Sequence, residues 1–169
     1  TAMEDMADCD LIVEAIVEKL DAKTATLKRL DEICGEEAIF ASNTSSIPLT
    51  ALAAASRRPG RVIGMHFFNP VPLMALIEII PALQTESAVT DAVFDVARAI
   101  GKTPRLSRDS CGFVVNRVLV PMINEAINCV AEGVATPEDV DSMMMLGANH
   151  PIGPLALADL IGLDVVYAM

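Results

Sequence analysis

Short apolar runs alternate with helical segments over the first two-thirds of the chain, and this alternation constrains the fold more than any other feature. The runs with the length and composition of buried strands are residues 10–16, 38–42, 61–68, 76–80 and 104–107. The segments with helical periodicity or helix-start signals between them are residues 19–33, 49–55 and 90–100. Continuous apolar strands joined by helices are typical of a largely parallel sheet covered by helices, so we predict an α/β fold.

The alternation stops near residue 112, where helical periodicity takes over. Residues 112–132 carry apolar side chains at helical spacing, with Pro121 expected to bend or break the helix. The sequence Thr-Pro-Glu-Asp at 136–139 is a strong helix start. We therefore predict two domains, an α/β domain over residues 1–109 and an all-α domain over residues 110–169. Both ends of the chain look cut, because no glycine precedes Gly35 and the last residues are still helical in pattern.

Composition and charge narrow the function classes. The net charge of −11 and the pI of about 4.4 argue against nucleic acid or an anionic membrane surface as a partner. The mean hydropathy is +0.47, yet no run reaches the ~18 uncharged apolar residues of a spanning helix, which predicts a soluble protein. The cysteines lack metal-binding spacing, so we expect no metal site and reduced thiols in the cytoplasm.

Two polar residues inside apolar runs mark a candidate site. His66 lies near the end of RVIGMHFF, and Glu78 lies within ALIEII. An unpaired polar group in such surroundings costs about 1–3 kcal/mol, so we expect His66 and Glu78 to pair if their strands are neighbours. A paired histidine and carboxylate can perform general acid–base catalysis, although a single histidine beside a strand is more often structural.

Other polar residues follow predicted strands, where parallel α/β sheets bind their ligands. Glu18 and Lys23 follow the first strand, and the turn Asn-Thr-Ser-Ser at 43–46 follows the second. Asn116 is a polar residue inside the apolar stretch FVVNRV. Each has a structural alternative. The turn could only cap the next helix, Glu18 and Lys23 could form a solvated face, and Asn116 could satisfy a helix kink.

Several long stretches of the sequence resemble the 3-hydroxyacyl-CoA dehydrogenase family. They are DLIVEAIVE, FASNTSSI, GMHFFNPVPLMALIEII, GKTPRLSRDSCGFVVNRVLVPMINEAI and TPEDVDSMMMLGANHPIGPLALADLIGLD. The resemblance implies an incomplete Rossmann-type dinucleotide-binding domain, lacking its glycine-rich loop, followed by a partial helical domain for substrate binding and dimerisation. It also implies NAD-dependent interconversion of 3-hydroxyacyl-CoA, with 3-hydroxybutyryl-CoA favoured, and 3-oxoacyl-CoA in fatty-acid or butanoate metabolism.

The resemblance assigns roles to single residues. The residues it assigns to catalysis are His66, Glu78, Ser45 and Asn116. The residues it assigns to contacts with NAD are Ala15, Glu18, Lys23 and Asn43. In these roles His66 removes the proton of the 3-hydroxyl, Glu78 orients the imidazole, and Ser45 and Asn116 hold the substrate. The chemistry fits, because histidine titrates near neutral pH and a carboxylate stabilises the imidazolium that forms.

The expected partners are an acyl-CoA substrate and a second copy of the chain in a cytoplasmic homodimer. Only the resemblance favours NAD over NADP. Two other interpretations stay open at this stage. One is a catalytically silent fragment or oligomerisation module that cannot bind NAD by itself. The other is a related dehydrogenase acting on a different hydroxy acid, against which the HFFNP motif argues.

Overall fold

A computed structural model describes residues 2–168, and the chain divides into two compact units, Thr1–Phe113 and Val114–Met169. The first unit contains a five-stranded sheet with the strands in sequence order. The strands are β1 Leu11–Glu14, β2 Ile39–Ser42, β3 Val62–Phe67, β4 Leu76–Pro81 and β5 Thr103–Leu106. The division between the units falls close to the domain boundary expected from the sequence.

Three of the four strand pairs are parallel, and the β3–β4 pair is antiparallel. The prediction of a largely parallel sheet is therefore confirmed, with one exception. The exception has a local cause, because only a short turn joins β3 to β4 and a parallel crossover needs a dozen or more residues. As a result, the amino end of β4 lies at the same edge of the sheet as the carboxyl end of β3.

Helices cover both faces of this sheet. The helices of the first unit are α1 Leu20–Ile33, α2 Leu49–Ala53 and α3 Ser87–Ala99. Successive strand residues point to opposite faces, so Phe40 packs in one hydrophobic cluster and Ala41 in another. The first cluster also holds side chains of α1 and α2, and the second holds side chains of α3. The three central strands β2, β3 and β4 are thus buried on both sides, as their continuous apolar runs predicted, whereas the edge strands β1 and β5 each expose residues such as Val13 and Leu106.

The second unit is helical. Its helices are α4 Val115–Ala131, α5 Pro137–Ala148, α6 Pro154–Ile161 and α7 Leu163–Ala168. The predicted start at Thr136 is confirmed, because its side chain accepts a hydrogen bond from the backbone N–H of Asp139. Pro121 lies inside α4 without ending it. No helix of the described residues, 2–168, is long and apolar enough to cross a membrane.

Gly35 follows the end of α1 but does not act as a left-handed cap for it. The helix leaves directly into extended backbone at Cys34, and Gly35 does not adopt a positive φ. The carbonyl groups at this helix end are satisfied by Arg58 instead. Its guanidinium donates to the carbonyl oxygens of Asp31 at 3.0 Å and Cys34 at 3.2 Å, and also to that of Gly35. A left-handed glycine is therefore not needed here.

Asp109 caps α2 from a distant part of the chain. Its two carboxylate oxygens accept hydrogen bonds from the backbone N–H groups of Leu49 at 2.9 Å and Thr50 at 2.7 Å. Asp109, and not a serine of the 43–46 turn, therefore caps α2. The turn is left available for a different role.

We predict that Asp109→Ala lowers the free energy of unfolding by about 1–2 kcal/mol, because two N–H groups at the start of α2 lose their acceptor. Urea denaturation followed by circular dichroism measures the change. The matched control is Asp91→Ala at an exposed position of α3, which should stay within about 0.5 kcal/mol of wild type. Equal stabilities of Asp109→Ala and the control would contradict this assignment.

Candidate active site

The register of β3 and β4 brings His66 and Glu78 together. The two residues are direct cross-strand partners in the antiparallel ladder, so their side chains leave the same face of the sheet. His66 Nδ1 lies 2.8 Å from Glu78 Oε2. His66 is 4% exposed and Glu78 is 2% exposed. Both polar side chains are thus buried, and each satisfies the other.

The other ring nitrogen of His66 faces Ser45. Its Nε2 lies 3.1 Å from Ser45 Oγ. A carboxylate can only accept, so Nδ1 is the ring nitrogen that donates to Glu78, and a ring protonated at Nδ1 alone presents its Nε2 lone pair to Ser45. The rings of Phe68 and Phe113 pack against the imidazole at centroid distances of 4.5 and 5.4 Å. The imidazole is therefore fixed at both nitrogens and bounded by aromatic rings.

The turn that carries Ser45 follows β2 at the carboxyl edge of the parallel strands. Asn43 Oδ1 accepts a hydrogen bond from the backbone N–H of Phe67 at 2.8 Å, which ties the turn to the end of β3. Thr44 Oγ1 accepts from the N–H of Ile47 at 2.9 Å. The predicted site residues Asn43, Ser45 and His66 therefore lie together at one edge of the sheet, where ligands of α/β proteins bind.

Glu18 holds the same turn from the loop after β1. Its Oε1 accepts hydrogen bonds from the N–H groups of Ser45 at 2.9 Å and Ser46 at 3.0 Å. The hydroxyl groups of Thr44 and Ser46 also donate to it, at 2.5 and 3.1 Å. Partial burial acts to raise the pKa of Glu18, but the hydrogen bonds from Thr44, Ser46 and Ser45 outweigh it, and the net pKa is lowered.

Lys23 lies beneath this loop and does not belong to a solvated face. Its side chain is 1% exposed. Its Nζ lies 2.9 Å from Glu14 Oε2 and 3.4 Å from Glu18 Oε2, and it donates to the carbonyl oxygen of Ile16 at 3.3 Å. Ser42 also donates to Glu14. A buried ammonium needs such partners, because desolvation of an unpaired charge is costly.

The sequence placed Glu14 in the polar end of the first strand, but no role was predicted for Glu14 or Ser42. The signal for Glu14 is a carboxylate inside the apolar run DLIVEAI, which is the same kind of signal that marked Glu78. Ser42 offers no such signal, because a serine at a strand end is common. Its role depends on its position opposite Glu14 in the β1–β2 register.

The remaining predicted residues lie in two places. Ala15 is exposed in the loop between β1 and α1, next to Ile16 and Val17, which are 42% and 63% exposed. Asn116 belongs to the second unit, where it is buried in the first turn of α4.

A helix-covered sheet with polar residues at the carboxyl ends of β1, β2 and β3 defines an α/β domain of the dinucleotide-binding class. The buried histidine–carboxylate pair at that edge is of a kind that can perform general acid–base chemistry. The chain belongs to the 3-hydroxyacyl-CoA dehydrogenase family. The model of that family's NAD-binding domain matches residues 1–110, and the model of its C-terminal domain matches residues 112–169.

Individual relatives agree with the family assignment. Across all of its length the chain is 57% identical to the "Probable 3-hydroxybutyryl-CoA dehydrogenase" of Deinococcus radiodurans and 54% identical to the 3-hydroxybutyryl-CoA dehydrogenase of Clostridioides difficile. It spans 61% and 60% of those two proteins. The crystal structure of (S)-3-hydroxybutyryl-CoA dehydrogenase from Ralstonia eutropha is 54% identical with a TM-score of 0.97, over 99% of this chain and 59% of that one.

We predict that Glu18 stabilises the fold in a pH-dependent way. Its pKa in the folded state lies below the ordinary value of 4.5. Its stabilisation is therefore complete above 4.5 and is lost as the pH falls through the folded-state pKa. The difference in Tm between wild type and Glu18→Gln should be largest at neutral pH and should shrink in that acid range.

Differential scanning fluorimetry across the acid range measures this difference. Glu36→Gln removes the same charge from an exposed position between α1 and β2, and it separates loss of net charge from loss of hydrogen bonds. A Tm difference for Glu18→Gln that matches the Glu36→Gln difference at every pH would refute the prediction.

Proposed function

We propose that this chain carries the acid–base centre of an NAD-dependent 3-hydroxyacyl-CoA dehydrogenase, with 3-hydroxybutyryl-CoA and acetoacetyl-CoA as its substrate pair. The observation that carries the proposal is the buried His66 ring, held at Nδ1 by Glu78 and facing Ser45 Oγ through Nε2. Family membership supports the same reaction. The four-carbon substrate is proposed because the relatives named above are 3-hydroxybutyryl-CoA dehydrogenases.

The residues divide the chemistry among them. His66 Nε2 takes the proton of the 3-hydroxyl, and the O–H electron pair becomes the second bond of the 3-oxo group. When bound, NAD supplies the two-electron oxidant that accepts hydride from C3. Glu78 stabilises the imidazolium that forms, since a carboxylate 2.8 Å from Nδ1 favours the charged ring. In the reverse direction His66 returns the proton to the same oxygen.

Ser45 gives the substrate oxygen a second partner. An oxygen within hydrogen-bond reach of both Ser45 Oγ and His66 Nε2 can accept from the hydroxyl while it exchanges a proton with the imidazole. These two atoms are 3.1 Å apart, which permits both contacts at once. A donor fixed in this way stabilises charge that develops on the oxygen. We assign Asn116, in the helical unit, to substrate binding as well.

The residues at the carboxyl edge fit part of a dinucleotide. Exposed Ile16 and Val17 offer apolar surface next to Ala15, and Asn43 lies on the turn beside the acid–base centre. We assign Ala15, Asn43 and Glu18 to direct contacts with NAD. Lys23 contributes from beneath, because its buried ammonium holds the carbonyl oxygen of Ile16 and the carboxylate of Glu18 in place.

The wider setting is also part of the proposal. We infer a cytoplasmic homodimer that takes acyl-CoA thioesters in fatty-acid or butanoate metabolism. The net charge of −11 supports a small-molecule partner rather than a nucleic acid.

The direct test is acetoacetyl-CoA-dependent loss of NADH absorbance with the full-length protein. We expect turnover with acetoacetyl-CoA and 3-hydroxybutyryl-CoA, in opposite directions. The same protein should show no turnover with a free 2-hydroxy acid. Activity only with the 2-hydroxy acid would overturn the assignment of substrate class.

We predict that His66→Ala lowers kcat by about 10²–10⁴-fold, since the base is lost. Glu78→Gln should lower kcat by about 10²-fold or more, because the amide supplies no charge and can hold the wrong tautomer. Steady-state kinetics with acetoacetyl-CoA and NADH measures both effects. Glu36→Gln is the control and should keep wild-type rates. Wild-type kcat in His66→Ala would remove this histidine from the mechanism.

A further inference from the structure

Ser45 lies in a turn that is held largely by one carboxylate oxygen rather than by regular secondary structure. Residues 43–47 belong to no helix or strand, and the turn that they form bends away from β2. The N–H groups of Ser45 and Ser46 converge on Glu18 Oε1 at 2.9 and 3.0 Å, and the Thr44 hydroxyl reaches the same atom at 2.5 Å. Together with the hydrogen bond from Phe67 N–H to Asn43 Oδ1, these bonds fix where the Ser45 backbone lies, and hence where Oγ meets His66.

Glu18 is itself fixed from within the unit. It belongs to the loop between β1 and α1, 27 residues before Ser45 in sequence. The buried ammonium of Lys23 lies 3.4 Å from Glu18 Oε2 and is anchored by Glu14 on β1 at 2.9 Å. A carboxylate that is paired with a buried ammonium resists displacement more than an unpaired, exposed carboxylate does. The order of contacts is therefore from Glu14 through Lys23 and Glu18 to Ser45.

We propose that Glu18 is a positioning residue for the reaction. It fixes the Ser45 hydroxyl against His66 Nε2, so the loop after β1 and the serine turn move as one unit. This role rests on the proposed dehydrogenase function and goes beyond a contact between Glu18 and NAD. Any ligand that displaces the loop also displaces the hydroxyl group that holds the substrate oxygen.

Three roles for Glu18 lead to different results. A residue that acts through Ser45 changes kcat, and its effect vanishes when the Ser45 hydroxyl is absent. A residue that only contacts the cofactor raises KM for NADH and leaves kcat at saturation unchanged. A residue that only supports the fold lowers Tm, and its effect on kcat is the same whether or not Ser45 is present.

A double-mutant cycle on the full-length protein separates these roles. The proteins are wild type, Glu18→Ala, Ser45→Ala and the double variant, assayed with acetoacetyl-CoA at saturating NADH. We expect Ser45→Ala to lower kcat by about 10²-fold and Glu18→Ala by about 10-fold or more. On the Ser45→Ala background, Glu18→Ala should change kcat by less than about two-fold.

The conservative variant adds a second test. Glu18→Gln keeps one carbonyl oxygen that can accept from the N–H groups of Ser45 and Ser46, so it should restore part of the kcat lost in Glu18→Ala. Glu18→Gln also replaces Glu18→Ala in the double-mutant cycle if Glu18→Ala does not fold. Glu36→Gln is the matched control at an exposed site and should behave as wild type in every assay.

Nitrogen NMR of the His66 ring tests the inference without turnover. The Nε2 resonance senses its hydrogen-bond partner, so Glu18→Ala should move it toward its position in Ser45→Ala. Glu36→Gln should leave it at the wild-type position. An unmoved Nε2 resonance in Glu18→Ala, or a Glu18→Ala effect on kcat that persists at full size without the Ser45 hydroxyl, would overturn the proposal.

Failure of this inference and failure of the proposed function can be told apart. An inactive wild-type protein with the predicted NMR shifts would reject the dehydrogenase reaction and retain the positioning role. An active wild-type protein in which Glu18→Ala and Ser45→Ala change kcat independently would retain the dehydrogenase reaction and reject the positioning role.

Discussion

The antiparallel pairing of β3 with β4 is the constraint on which the site depends. It is the one antiparallel pair in a sheet whose other pairs are parallel, and it places Glu78 directly opposite His66. A slip of one residue would turn Glu78 to the other face, because side chains alternate along a strand. The buried Nδ1 of His66 would then lose its carboxylate partner, at a cost of about 1–3 kcal/mol. The same strand pairing that stabilises the sheet thus brings the buried histidine and carboxylate into contact.

Carboxylates fix the segments around this pair. Glu78 holds the imidazole, Glu18 holds the turn that carries Ser45, and Asp109 holds the start of α2. Each of these carboxylates accepts hydrogen bonds from donors on another segment. For Glu18 and Asp109 the donors include backbone N–H groups. Some of the acidic residues that contribute to the net charge of −11 therefore have a structural role, because they hold loops at the edge of the sheet.

Much of this arrangement could be predicted from the sequence, because local patterns carry it. The strands follow from apolar runs, and the contact between His66 and Glu78 was expected because two polar groups in apolar runs need partners. The cap of α2 by Asp109 could not be predicted, because it joins residues 60 positions apart. The burial of Lys23 could not be predicted for a similar reason. A lysine in an amphipathic helix is usually solvated, and only the fold shows that Lys23 forms a buried ion pair with Glu14.

A crystal structure of the full-length protein with NADH and acetoacetyl-CoA tests the central claim most directly. The account predicts the C3 oxygen within about 3.2 Å of His66 Nε2, with Ser45 Oγ in hydrogen-bond reach of the same oxygen and Nδ1 still on Glu78. A C3 oxygen bound away from His66, with Nε2 in contact only with protein atoms, would contradict it.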